Sequence, residues 1–178
     1  LHPLEDARGA HTGADAHGHH AVLQVAAAQR MHRGRGADRP RRAQGMAQRD
    51  PAAVEALVRL SEFLALPVTE NAGADRLNFP HSHDHFGTGP ACKDADALLM
   101  LDVVAPFIPG RQSPPADTKI AWIGNDPVQA RYKTMEYRAD IWSPANVRLS
   151  LDAIHEHATK ILDKGDIERI RIRREKLS

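Results

Sequence analysis

Residues 95–127 read ADALLMLDVVAPFIPGRQSPPADTKIAWIGNDP. The fold class rests on two short apolar runs within this stretch, Ala97-Leu98-Leu99-Met100-Leu101 and Ile120-Ala121-Trp122-Ile123. Each is too short for a globular helix, and each stops at a polar or Gly/Pro break. Uninterrupted apolar runs of this length read as strands covered on both faces, as in parallel sheets. In an open parallel sheet, ligands bind just beyond the carboxyl ends of the strands. There the runs are followed by Asp102 and by Gly124-Asn125-Asp126-Pro127. Asp102, Gly124, Asn125 and Asp126 are therefore the candidate ligand-facing residues. Asp126-Pro127 also has a structural reading, as a turn that caps the following segment.

On the amino-terminal side, Asp50 is placed to cap a helix with Pro51 in its first turn. Val54, Leu57, Val58 and Leu64 give that helix an apolar face through about Leu66, and Pro67 stops it. Val68-Thr69 then begins a short strand. On the carboxyl-terminal side, Tyr132–Tyr137 and Ala139-Asp140-Ile141-Trp142 read as further strands. Ser143 and Pro144 read as the cap and first residue of a second helix. Its apolar repeat runs through Val147, Leu151, Ile154, Ala158, Ile161 and Leu162 to a stop at Lys164-Gly165. The predicted core is Val54, Leu57, Val58, Leu64, Val68, Leu98, Leu99, Met100, Leu101, Ile120, Trp122, Ile123, Val147, Leu151 and Ile154. Together these elements predict an α/β fold: a three-layer, doubly wound, mostly parallel sheet of the Rossmann-like kind.

Residues 1–49 are a different sort of sequence. Ala, Gly, Arg and His fill 31 of the first 50 positions, too little apolar surface to offset chain entropy. The expectation is a disordered or non-native segment that supplies no sheet strand, of the kind a GC-rich gene yields when read out of frame. Its one compact apolar run is Ala21–Ala28. Residues 50–163 form the expected domain, and 164–178 a basic tail or linker with Arg169, Arg171, Arg173, Arg174 and Lys176.

The 178 residues carry a net charge of +1, so no global field argues for nucleic acid or a membrane surface. Cys92 is the only cysteine, which excludes an internal disulfide and a multi-cysteine zinc site. No apolar run approaches the ~20 residues of a membrane span, and the first residues lack the order of a secretory leader. A cytoplasmic protein is expected. Two histidine groups have metal-ligand chemistry: His17, His19 and His20, and the loop His81-Ser82-His83-Asp84-His85. In the second, alternating histidines would share one face of a strand, but Gly87, Gly89 and Pro90 mark a loop.

The ordered blocks A-D-A-L-L-M-L-D, Pro106 and K-I-A-W-I-G-N-D-P resemble the central domain of thiamine-diphosphate-dependent enzymes of the acetolactate synthase type. The loop Phe79–Gly87 precedes these blocks and Ala139-Asp140-Ile141-Trp142 follows them, as the family has it, so the likeness covers roughly residues 50–157. The resemblance implies a fold of the NAD/FAD-binding-domain type and a parent enzyme that makes or breaks a carbon–carbon bond next to a carbonyl. In that parent, thiamine diphosphate and Mg²⁺ are held by two other domains, which supply a glutamate and a Gly-Asp-Gly…Asn motif. This chain has neither block, so the resemblance implies no catalytic residues here, no bound cofactor, and other domains or subunits as partners in a homo-oligomer.

Two departures from the family bear on FAD. Val103-Val104-Ala105-Pro106-Phe107 stands near where flavin-binding members carry a charged block, and Gly124 stands where the family has an acid for a nucleotide ribose. FAD is therefore not expected. The competing readings are a free-standing Rossmann-like nucleotide-binding domain and a metal-dependent hydrolase built on His81, His83 and His85.

Overall fold

A computed structural model describes residues 21–25, 50–70, 79–87, 92–103, 106–125 and 137–177. Five strands, β1 (Ala21–Val25), β2 (Val68–Glu70), β3 (Ala97–Leu101), β4 (Lys119–Gly124) and β5 (Ile141–Pro144), form one sheet in the order β2-β1-β3-β4-β5. Every pairing is parallel. In register, Leu99 lies opposite Ala121 and Met100 opposite Trp122. This is the α/β, Rossmann-like architecture that the apolar runs predict.

Both faces of the two deciding strands are buried, as their uninterrupted apolar character requires. On one face, Leu101 and Ile123 join Ala53, Ala56, Leu57, Leu60, Val68, Val147 and Leu151. That face is covered by α1 (Pro51–Leu64) and α2 (Val147–Ile161), which pack against each other. On the other, Leu98, Met100, Ile120 and Trp122 pack with Ala95 and Val103, and Phe107, Tyr137 and Ala139 lie against them. Leu57, Leu60, Met100, Ile120, Trp122 and Leu151 are almost wholly buried, and truncating any of the leucines to Ala would cost about 2–5 kcal/mol.

One expectation is corrected at the sheet's centre. Residues 1–49, read as supplying no strand, contribute β1 at Ala21–Val25, and this strand pairs with β2 on one side and β3 on the other. The run Ala-Val-Leu-Gln-Val has only Val22 and Val25 as strand-favouring side chains, and two parallel neighbours supply its pairing. No unpaired interior edge remains between β2 and β3. The other residues of 1–49, including His17, His19 and His20, lie outside the described residues, as do residues 132–136 of the Tyr132–Tyr137 strand.

The helix ends differ in detail from the sequence reading. Asp50 holds the N-cap position of α1 without a side-chain cap; its carboxylate instead accepts from Arg148 Nε of α2 at 3.0 Å. α1 stops at Leu64, with Ala65 in the left-handed region (φ 50°), just short of the expected Leu66. Ser143 and Pro144 close β5 rather than opening a helix, and Asn146 caps α2 by accepting from the Leu149 N–H at 3.0 Å. Lys164-Gly165 is not a stop. Asp163 and Asp166 exchange side-chain to backbone hydrogen bonds at 2.8 and 3.1 Å, a capping box that starts α3 (Lys164–Leu177). Within the stretch read as a basic tail, Arg173 and Arg174 of α3 donate to the Leu64 and Glu62 carbonyls at the end of α1, at 3.1 and 2.8 Å. Cationic donors there meet the orphan carbonyls and the negative end of the helix dipole.

Candidate functional site

The strand order 2-1-3-4-5 reverses direction between β1 and β3, and the carboxyl edge at such a switch point is where α/β sheets bind ligands. Asp102 follows β3 at that edge and is in the left-handed region, with φ 51°, a conformation that side-chain-bearing residues seldom adopt. Its N–H continues the ladder to the Ile123 carbonyl at 2.9 Å. Its carboxylate turns toward the end of β4, where Oδ1 accepts from the Asn125 N–H at 3.2 Å. The Gly124 carbonyl accepts from Ala145 N–H at 3.0 Å, tying the end of β4 to the end of β5.

Asp102, Gly124 and Asn125 thus come together across adjacent strand ends, while Asp126 lies outside the described residues. A side chain at 124 would compete with the Asp102 carboxylate for space. A Cβ there would meet Asp102 Oδ1 at 2.7 Å and the Asp102 Cα at 3.3 Å. The carboxylate at this edge therefore comes from β3, and it occupies the space that a side chain on β4 would need.

The opposite, amino edge is closed by structural bonds that the sequence reading did not identify. Asp140 Oδ2 accepts from the Ile120 N–H at 2.8 Å, and the Asp140 N–H donates to the Ile120 carbonyl at 2.8 Å. The Ile120 N–H holds the Asp140 carboxyl below its ordinary range, and Lys119 and Arg138 add to the effect. Thr118 Oγ1 donates to the Ala95 carbonyl at 2.6 Å. A single Asp or Thr at a strand entrance carries no spacing signal, so only the fold reveals these roles.

The histidine loop lies against β2. The Val68 N–H donates to the His85 carbonyl at 2.8 Å and the Gly87 N–H to the Val68 carbonyl at 2.9 Å, so residues 85–87 pair with the edge strand. The His83 and His85 rings pack edge to face at 4.9 Å, but the three imidazoles bond different partners. His81 Nε2 meets Glu70 Oε2 at 3.2 Å, His83 Nε2 meets Glu62 Oε1 at 3.2 Å, and His85 Nδ1 meets Ser61 Oγ at 2.9 Å. No group of three or more His, Cys, Asp or Glu side chains is arranged to share a metal ion among the described residues. His85 is buried, and burial pushes its pKa down, with the neighbouring His83 and Arg174 adding to the shift. Ser61 is not an activated nucleophile: it is fully buried and its hydroxyl is committed to the Leu66 carbonyl at 2.7 Å. Burial raises the Cys92 thiol above its ordinary range, which disfavours the reactive thiolate.

No helix among the described residues is long and apolar enough to cross a membrane. No family model and no curated protein matches the chain. Among solved structures, it is similar to a protein from Mycobacterium smegmatis assigned as a thiamin diphosphate-dependent enzyme, with 21% identity and a TM-score of 0.49. The likeness covers 77% of this chain and 24% of that one, so the chain spans about a quarter of that protein's length. At this level the likeness carries no functional argument.

Proposed function

We propose that this chain is the central domain of a thiamine-diphosphate-dependent enzyme of the acetolactate synthase type, supporting the packing of the parent enzyme's other domains or subunits. The observation that carries this reading is where the resembling blocks fall. A-D-A-L-L-M-L-D spans β3 and Asp102, K-I-A-W-I-G-N spans β4 and Asn125, and Ala139-Asp140-Ile141-Trp142 enters β5. The three lie side by side as parallel strands. The parent reaction on this reading makes or breaks a carbon–carbon bond next to a carbonyl, and the domain itself contributes no catalytic residue.

The residues present do not fit the thiamine cofactor or its Mg²⁺. The sequence contains no Gly-Asp-Gly, and the described residues form no cluster of metal-ligating side chains. FAD is equally disfavoured, because Gly124 stands where the family has an acid and Val103, Pro106 and Phe107 offer no charge. Calorimetric titration of the purified chain with thiamine diphosphate and Mg²⁺ is expected to give no saturable heat, and the preparation no flavin absorbance. Saturable binding of either cofactor would overturn this reading. Saturable binding of ADP or NAD alone would favour a nucleotide-binding domain, with Asp102 and Asn125 as the contacting groups.

A further inference from the structure

The hydrogen-bond directions in the histidine loop fix the protonation of two of its rings. The Ser61 hydroxyl has one hydrogen and gives it to the Leu66 carbonyl. Toward His85 it can only accept, so His85 Nδ1 carries the proton in that 2.9 Å contact. His83 Nδ1 accepts from the His85 backbone N–H at 3.1 Å, so the proton on the neutral His83 ring is on Nε2, facing Glu62. In its neutral form each ring therefore has one defined tautomer.

A second proton on His85 goes to Nε2 and places a full charge on a buried ring. The groups facing these rings come from three elements: Glu62 and Ser61 on α1, Asp84 within the loop, and Arg174 on α3. Arg174 and His83 oppose charge on His85, while Glu62 and Asp84 favour it, and desolvation is the largest cause. His81 Nε2 meets Glu70 Oε2, and the other Glu70 oxygen accepts from the Phe79 N–H at 2.9 Å. That contact anchors the start of the loop, whereas His83 and His85 adjoin the residues paired to Val68.

We propose that residues 79–87 are an acid-released latch on the β2 edge, held while the buried His85 is neutral and opened at its 85–87 end when that ring takes a second proton. Opening breaks the pairing of His85 and Gly87 with Val68 and leaves β2 with an unpaired edge, the feature through which sheets recruit an added strand. The sign follows from the direction of the shift. A folded-state pKa below the unfolded one stabilises the latch fully above about 6.5, and that stabilisation is lost as the pH falls through the folded value.

The test is amide hydrogen exchange of the full chain at about pH 7.5 and about pH 5, corrected for intrinsic rates, across the range in which histidine titrates. Protection of the Val68 and Gly87 amides is expected to fall roughly tenfold or more while that of Met100 and Trp122 holds, because local opening is independent of the core. In His85→Asn, where the side-chain amide N–H replaces the Nδ1–H without titrating, protection of Val68 and Gly87 is expected to be the same at both pH values. If that variant does not fold, histidine ring titration by NMR in the unaltered chain replaces it, and the loss of protection must follow the His85 midpoint. Unchanged protection at low pH, an equal fall in the variant, or a fall that does not follow His85 would overturn the proposal.

Discussion

Asp102 Oδ1 occupies the space beside Gly124, 2.7 Å from where a Cβ on that glycine would lie. The contact joins the ends of β3 and β4, beside the switch point between β1 and β3, and sets a side chain at position 124 in competition with the Asp102 carboxylate. Gly124→Ala must displace the carboxylate and its bond to Asn125, and is expected to destabilise the fold by about 1–3 kcal/mol. In an Asp102→Gly background the same substitution should cost much less, because the obstructing carboxylate is gone. Urea unfolding of the four proteins in a double-mutant cycle measures the coupling; strictly additive effects would show that the two residues do not compete for this space.

Ser61 links α1 to the histidine loop by accepting from His85 and donating to Leu66. Ser61→Ala leaves a buried N–H and a carbonyl without their partner, and the expected cost is about 1–3 kcal/mol. Ser61→Cys, with its weaker hydrogen bonds, should fall between the two. Thermal unfolding midpoints give the ranking, and an Ala variant as stable as the unaltered chain would refute the bonding assigned to Ser61.

α1 and α2 are joined by a network in which Arg148 bonds Asp50 and Asp152, at 3.0 and 3.4 Å, and Arg59 bonds Asp152 at 2.9 Å. These groups are partly exposed, so screening limits their worth. Arg148→Met, which keeps the apolar stem, should cost about 0.5–1 kcal/mol at low ionic strength and almost nothing in molar salt. A loss independent of salt would mean that Arg148 acts through packing alone.

Asp140 gives the chain an acid limit. Its carboxyl is held below the ordinary range chiefly by the Ile120 N–H. The resulting stability is fully present above an unfolded pKa of about 3.9 and is lost as the pH falls through the folded value. Asp140→Asn keeps an acceptor for Ile120 and should flatten this part of the acid-unfolding curve. An unchanged slope in that window would remove Asp140 from the acid response.

The parts of the fold that were legible in the sequence are those decided by burial on both faces. Leu98 to Leu101 and Ile120 to Ile123 could only be inner strands, and both are. β1 was hidden because its five residues, only two of them β-branched, sit in a segment whose composition argues against structure, and pairing on both sides outweighs that local bias. α3 was hidden because its start is an Asp163–Asp166 capping box and its body is supported by ion pairs such as Arg171 with Glu168, not by apolar periodicity. Ser143-Pro144 satisfies the rules for a helix start and equally those for the last residues of an edge strand; the tie from Ala145 to Gly124 decides between them. At the candidate site, Asp102 and Gly124 were found as separate strand ends, but their steric exclusion is a contact between residues 22 positions apart, which no local pattern encodes. Ser61 and Glu62, the partners of His85 and His83, are likewise remote in sequence from the loop.

Sequencing the coding DNA on both sides of this segment tests the proposed role most directly. The expected result is a domain with the activating glutamate on the amino-terminal side and one with Gly-Asp-Gly…Asn on the carboxyl-terminal side, in the same reading frame or in an adjoining gene. Flanking DNA that encodes neither domain would contradict the assignment of this chain as the middle part of a thiamine-diphosphate-dependent enzyme.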